Sequence, residues 1–156
     1  MKSKQVLDVQ QMQHLQELGL DTSNASMLYC DLYDEEYILV ESKHRFDKEE
    51  NAILLEGVRN SVVYCKKVTP AYTLQDVLDA LPIQIEIPLH PECGKYELRI
   101  KRMVFNTGKV MHAVVYEKSD YTNWFVLQSH EELIDAAYEM LCWVIERGYV
   151  ETNKNE

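Results

Sequence analysis

Apolar residues recur three apart near the start of the chain, at Val6, Val9, Met12, Leu15 and Leu18, with Gln10, Gln11, Gln13 and Gln16 between them. That spacing keeps one side of a 3.6-residue turn apolar and predicts an amphipathic helix over residues 4–18. Gly19 tolerates the left-handed backbone of a helix end, and Leu20 is then placed to fold back on the last turn. Asp21-Thr22-Ser23-Asn24 is turn chemistry. Two short β-type runs follow, 27–32 and 37–41, and the acidic link between them predicts a hairpin. Residues 46–68 leave alternatives open, because 51–55 is too short an apolar run for periodicity to separate a helix from a buried strand. The β-branched and aromatic run Ser61-Val62-Val63-Tyr64-Cys65 predicts a strand.

Thr69-Pro70-Ala71-Tyr72 reads as extended chain, since Pro70 biases Thr69 away from helical angles. Thr73 then caps a second helix, with Asp76 completing a capping box, Leu74, Val77, Leu78 and Leu81 forming its apolar face and Pro82 ending it. From Ile83 onward the pattern changes to period two. Ile83, Ile85 and Ile87 alternate with polar residues; Tyr96, Leu98 and Ile100 point inward while Lys95, Glu97, Arg99 and Lys101 point outward. Turns at Asn106-Thr107-Gly108 and Ser119-Asp120 lead to strands over 109–118 and 124–127. A last helix is predicted from Ser129-His130-Glu131-Glu132 as capping box, through Leu133, Ala136, Ala137, Met140, Leu141 and Val144, to a stop at Gly148. The expected fold class is α+β: an antiparallel β-meander with helices packed on one face, an N-terminal helix and a C-terminal helix.

Composition bounds this picture without changing it. A chain of 156 residues, 46% hydrophobic and 27% charged, is long enough for one core, so residues 1–150 are expected to form a single domain and 151–156 a polar tail. The formal charge of −10 is spread over both halves, with 14 acids and 8 bases in residues 1–80 and 12 and 8 in residues 81–156. A field of that sign disfavours nucleic acid and anionic membranes and favours a protein partner or self-association. No apolar stretch approaches the roughly 20 residues of a membrane span, and the four cysteines contain no CxxC. The expectation is a soluble, cytoplasmic protein with reduced thiols.

Chemistry-bearing residues are scattered. His90-Pro91-Glu92-Cys93 has chelating spacing but lacks the four ligands of a structural zinc site, and Asp31, Asp34, Glu35 and Glu36 lack the order of a calcium loop. Five glycines form no phosphate-binding motif. His112 on an alternating strand, or one of Cys30, Cys65, Cys93 and Cys142, could serve a small hydrolase or ligand-binding enzyme, the runner-up reading. The basic group Arg99, Lys101 and Arg102, with Lys95 and Lys109 nearby, could touch an acidic surface of a partner, but is expected to pair with Glu97 and Glu117 across the sheet. No catalytic, cofactor-binding or metal residue is assigned, and no cofactor is expected.

At Pro70-Ala-Tyr-Thr-Leu-Gln-Asp-Val-Leu-Asp-Ala-Leu-Pro82 and Leu133-Ile-Asp-Ala-Ala-Tyr-Glu-Met-Leu-Cys-Trp143, the chain resembles small proteins encoded by phages and mobile elements of gut anaerobic bacteria. The resemblance implies a bacterial cytoplasm and an accessory role; it brings no activity, cofactor or catalytic residue. Together with the missing chemistry it makes a non-enzymatic accessory protein, acting by protein–protein binding, the leading expectation.

Overall fold

The computed structural model describes residues 4–33, 36–47, 49–54, 62–120 and 123–153. It is an α+β fold with antiparallel sheets, a helix near each end and a third between them. The first helix, α1 (Val9–Glu17), starts later than periodicity suggests. Asp8 accepts from the Gln11 amide and the Gln11 side chain accepts from the Asp8 amide, a capping box that halts the helix at its N-terminus. The residues before it are extended: Val6 bridges Thr73, and the Leu7 amide donates to the Tyr72 carbonyl. At the other end Gly19 adopts φ +95° and the Leu20 amide reaches back to the Leu15 carbonyl, as expected.

The expected hairpin is β1 (Met27–Asp31) and β2 (Tyr37–Glu41). The open stretch resolves into strands: β3 (Arg45–Asp47), β4 (Ala52–Leu54), β5 (Val62–Tyr64) and β6 (Lys67–Ala71); residue 48 and residues 55–61 lie outside the described residues. β6 contains the segment read as plain extended chain, and it pairs with β1 to make a sheet ordered β2-β1-β6. β3, β4 and β5 form a second small sheet. α2 (Leu74–Ala80) carries the Thr73–Asp76 capping box read from the sequence.

The meander is β7 (Gln84–Glu86), β8 (Lys95–Val104), β9 (Val110–Glu117) and β10 (Trp124–His130), in sheet order β10-β9-β8-β7. α3 (Leu133–Glu146) packs on β9 and β10, with α2 against it. Its predicted start is corrected. Ser129 and His130 pair with Ala113 and His112 as the end of β10, and Glu132 takes the N-cap position with no side-chain bond. Two ladder pairs outweigh a cap worth about 1 kcal/mol.

Instead of the one core expected, the described residues hold two buried clusters. The larger joins all three helices to the meander through Leu7, Met12, Leu15, Val77, Tyr96, Tyr116, Met140 and Leu141. The smaller consists of Cys30, Ile53 and Cys65, lined by Ile38, Val40, Phe46 and Val63. Cys30 and Cys65 are joined in a disulfide, which corrects the expectation of reduced thiols for two of the four cysteines. Among the described residues no helix is long and apolar enough to cross a membrane.

Candidate functional site

The fold disperses the chemistry that the sequence nominates. His112, on β9, donates from Nδ1 to the Glu131 carbonyl at 2.9 Å; its strand neighbours are Arg102 and His130. Among the described residues no hydrogen bond joins it to a thiol or a carboxylate. Cys142 is buried in α3, and burial pushes its thiol up to about 11, although a Tyr138 hydrogen bond pulls the other way. A thiol so protonated is a poor nucleophile at neutral pH. Cys93 ends a single 3-10 turn, Pro91–Cys93, and His90 pairs within the loop with Glu92 at 3.0 Å. The described residues contain no group of three or more His, Cys, Asp or Glu side chains placed to hold a metal.

The basic group divides into two parts. Glu117 is buried on the sheet face away from the helices, 2.7 Å from Lys101 Nζ and 3.3 Å from Arg99 Nε, and Arg99 Nη2 also reaches Glu97 at 2.8 Å. This half is paired across the sheet, as expected. Arg102 and Lys109 lie further out, where β8 and β9 run to their turn. Lys109 Nζ is 3.3 Å from Glu131, and Arg102 is exposed.

What the sequence did not disclose in that outer part of the hairpin is the exposure of its apolar side chains. Leu98, Ile100, Arg102 and Val104 alternate onto the helix side of β8, so Ile100 was expected inward. Instead Ile100 is 48% exposed, Val104 65% and Phe105 49%. Position in the sheet explains it: α3 packs on β9 and β10, so Ile100 on β8 is half exposed although its ladder partner Val114 is buried. Val104 and Phe105 lie further along the hairpin, past the level of His130 where β10 ends. The ladder stays paired out to Val104 and Val110. Phe105 and Lys109 close the turn by a 2.8 Å backbone bond, and Gly108 supplies φ +84° there.

Charge marks the same element. The β8–β9 hairpin, residues 95–117, holds five bases, Lys95, Arg99, Lys101, Arg102 and Lys109, against Glu97 and Glu117, a net +3 in a chain of −10. Isolated exposed apolar residues are ordinary; here Ile100, Val104 and Phe105 are exposed on one hairpin.

A second surface lies around Tyr37, which lines two recesses. One, of about 460 Å³, is bounded by Asp8, Val9, Gln10, Tyr29 and Tyr37. The other, of about 360 Å³, is bounded by Asp31, Leu32, Glu36, Tyr37 and Lys66. Tyr29 is held in place by donating to the Leu7 carbonyl at 2.9 Å, and Tyr37 meets it edge-on with ring centroids 6.4 Å apart. The wall is thus aromatic and its rim mainly acidic. No protein-family model matches the chain, and no curated protein or solved structure matches it.

Proposed function

We propose that this chain is a non-enzymatic accessory protein that works by binding another protein, with the β8–β9 hairpin tip as its docking element. The observation that supports the reading is the coincidence of exposed Ile100, Val104 and Phe105 with exposed Arg102 on a hairpin of net +3. The partner it fits has an apolar recess on an acidic surface: the recess takes the aromatic tip, and the acids meet Arg102 and Lys109. A role within a phage or other mobile element rests on the resemblance of the two helical segments. The expected cytoplasmic setting suits Cys93 and Cys142, whereas the Cys30–Cys65 bond suits an oxidising one, such as the surface of a released particle.

A photoreactive phenylalanine analogue at position 105, compared with one at the more exposed Ile83, tests the docking element. Protein crosslinks confined to position 105, and lost with Arg102→Glu or in roughly 1 M salt where the screening length is about 3 Å, support it. Crosslinks from position 105 to nucleic acid, or equal protein crosslinking at both positions, overturn it.

A further inference from the structure

We infer that the partner of the hairpin is a second copy of this chain: each tip, led by Val104 and Phe105, enters the Tyr29–Tyr37 recess of the other copy in a two-fold dimer. The inference rests on the docking role just proposed and goes further by naming the occupant. Both halves of the contact are on one molecule. The tip is apolar with Arg102 exposed beside it; the recess is walled by Tyr29, Tyr37 and Val9, with Asp8, Asp31 and Glu36 at its rim and Lys66 beside them.

Complementarity of this kind is satisfied reciprocally only if the two elements share one end of the molecule. The contacts that link them show that they do. Lys109, in the hairpin, pairs with Glu131 at 3.3 Å. The next residue, Glu132, accepts from the Lys4 backbone amide at 3.4 Å, and Lys4 Nζ lies 3.8 Å from Asp8 on the recess rim. Hairpin and recess therefore flank one contiguous edge, so a rotation by half a turn can present each tip to the other copy's recess. Closed two-fold dimers are the commonest oligomers for this geometric reason. The acidic remainder of each copy, which disfavours random self-contact, is what the basic tip of the other neutralises.

Analytical ultracentrifugation of the purified full chain over a range of concentrations tests the inference. The expected result is a reversible dimer that Phe105→Asp, Tyr37→Ala, Arg102→Glu and Glu36→Lys each weaken by at least about tenfold, circular dichroism remaining that of the wild type. An equimolar mixture of the Arg102→Glu and Glu36→Lys chains is expected to regain the dimer, because in the mixed pair one contact is native and the other has both charges reversed. A chain that stays monomeric while position 105 still crosslinks to other proteins overturns the self-association and leaves the docking role standing. A dimer unaffected by the Phe105 and Arg102 changes also overturns it, as does one lost with Phe105→Asp but kept with Tyr37→Ala, or a mixture of the two reversed chains that stays monomeric.

Discussion

Reducing the Cys30–Cys65 disulfide, or replacing both residues by alanine, is expected to open the β3-β4-β5 sheet while leaving α3 and the meander closed. The bond closes a loop of 35 positions. Chain entropy lost from the open state by such a crosslink corresponds to about 4 kcal/mol. What else holds that sheet is small. Its strands are three residues each, and Ile53 is the one fully buried aliphatic residue besides the cysteines in the smaller cluster. Burying Ile53 contributes about 2–3 kcal/mol, less than the crosslink does. The larger cluster, with twenty buried residues among those described, contains neither cysteine of the bond. Hydrogen exchange read by mass spectrometry, with and without reductant, distinguishes the two regions. Amides of Ala52–Leu54 and Val62–Tyr64 are expected to exchange about a thousandfold faster on reduction, at one decade per 1.4 kcal/mol, with those of Leu133–Glu146 unchanged. Unchanged protection in β4 after reduction verified by mass would refute the reasoning, and so would α3 opening in step with it.

Three further outcomes follow from the geometry. Without reductant, Ellman's reagent should titrate the half-buried Cys93 in the native protein and reach Cys142 only on unfolding, because burial keeps the Cys142 thiol protonated; a Cys142→Ala chain with a smaller native amplitude would contradict this. Burial by itself raises the Asp76 carboxyl, but hydrogen bonds from Ser26 and Thr73 outweigh it and hold the group below the ordinary carboxylate value. A depressed folded value means that its stabilisation is complete above the unfolded pKa of about 4 and fades as pH falls through the folded value. Asp76→Asn should thus cost about 1–2 kcal/mol in urea melts at neutral pH and progressively less in acid; an equal cost at both would count against the assignment. Glu117→Gln should lower stability by about 2 kcal/mol, short of the 3–5 of a fully buried pair because Arg99 and Lys101 both reach water. An unchanged thermal midpoint would show that the carboxylate adds nothing there.

Local rules of the chain were legible wherever no long-range partner competed for the same residues. Thr73 and Asp76 cap α2 as read, Gly19 and Gly148 take positive φ where helices were expected to end, and alternation located β8 and β9. Failures occur where a distant strand wins. Ser129 and His130 have good capping chemistry, but β9 offers them ladder partners. Val6 fits the helical spacing, yet Thr73 supplies a bridge and Asp8 a better cap. The pairing of β6 with β1, and with it the approach of Cys65 to Cys30, joins residues too far apart in the chain for any local pattern to announce.

The exposed hairpin tip was concealed for a different reason. Alternation tells which side of a sheet a residue takes, but it says nothing about how far the covering layer extends, so Ile100 looked as inward as Leu98. The basic group was legible, but reading it as wholly paired across the sheet left exposed Arg102 out. What decides is which strands the C-terminal helix covers: it packs on β9 and β10, and leaves Ile100 on β8 exposed beside buried Val114. Where a paired hairpin runs beyond its covering helix, its inward-patterned residues become surface. If the exposed residues were only the uncovered part of a long hairpin, their flanking charges would be expected to match the chain's acidic average. In this chain Arg99, Lys101 and Lys109 are held by Glu97, Glu117 and Glu131, and it is exposed Arg102 beside Val104 and Phe105 that is the ground for reading the tip as a docking element.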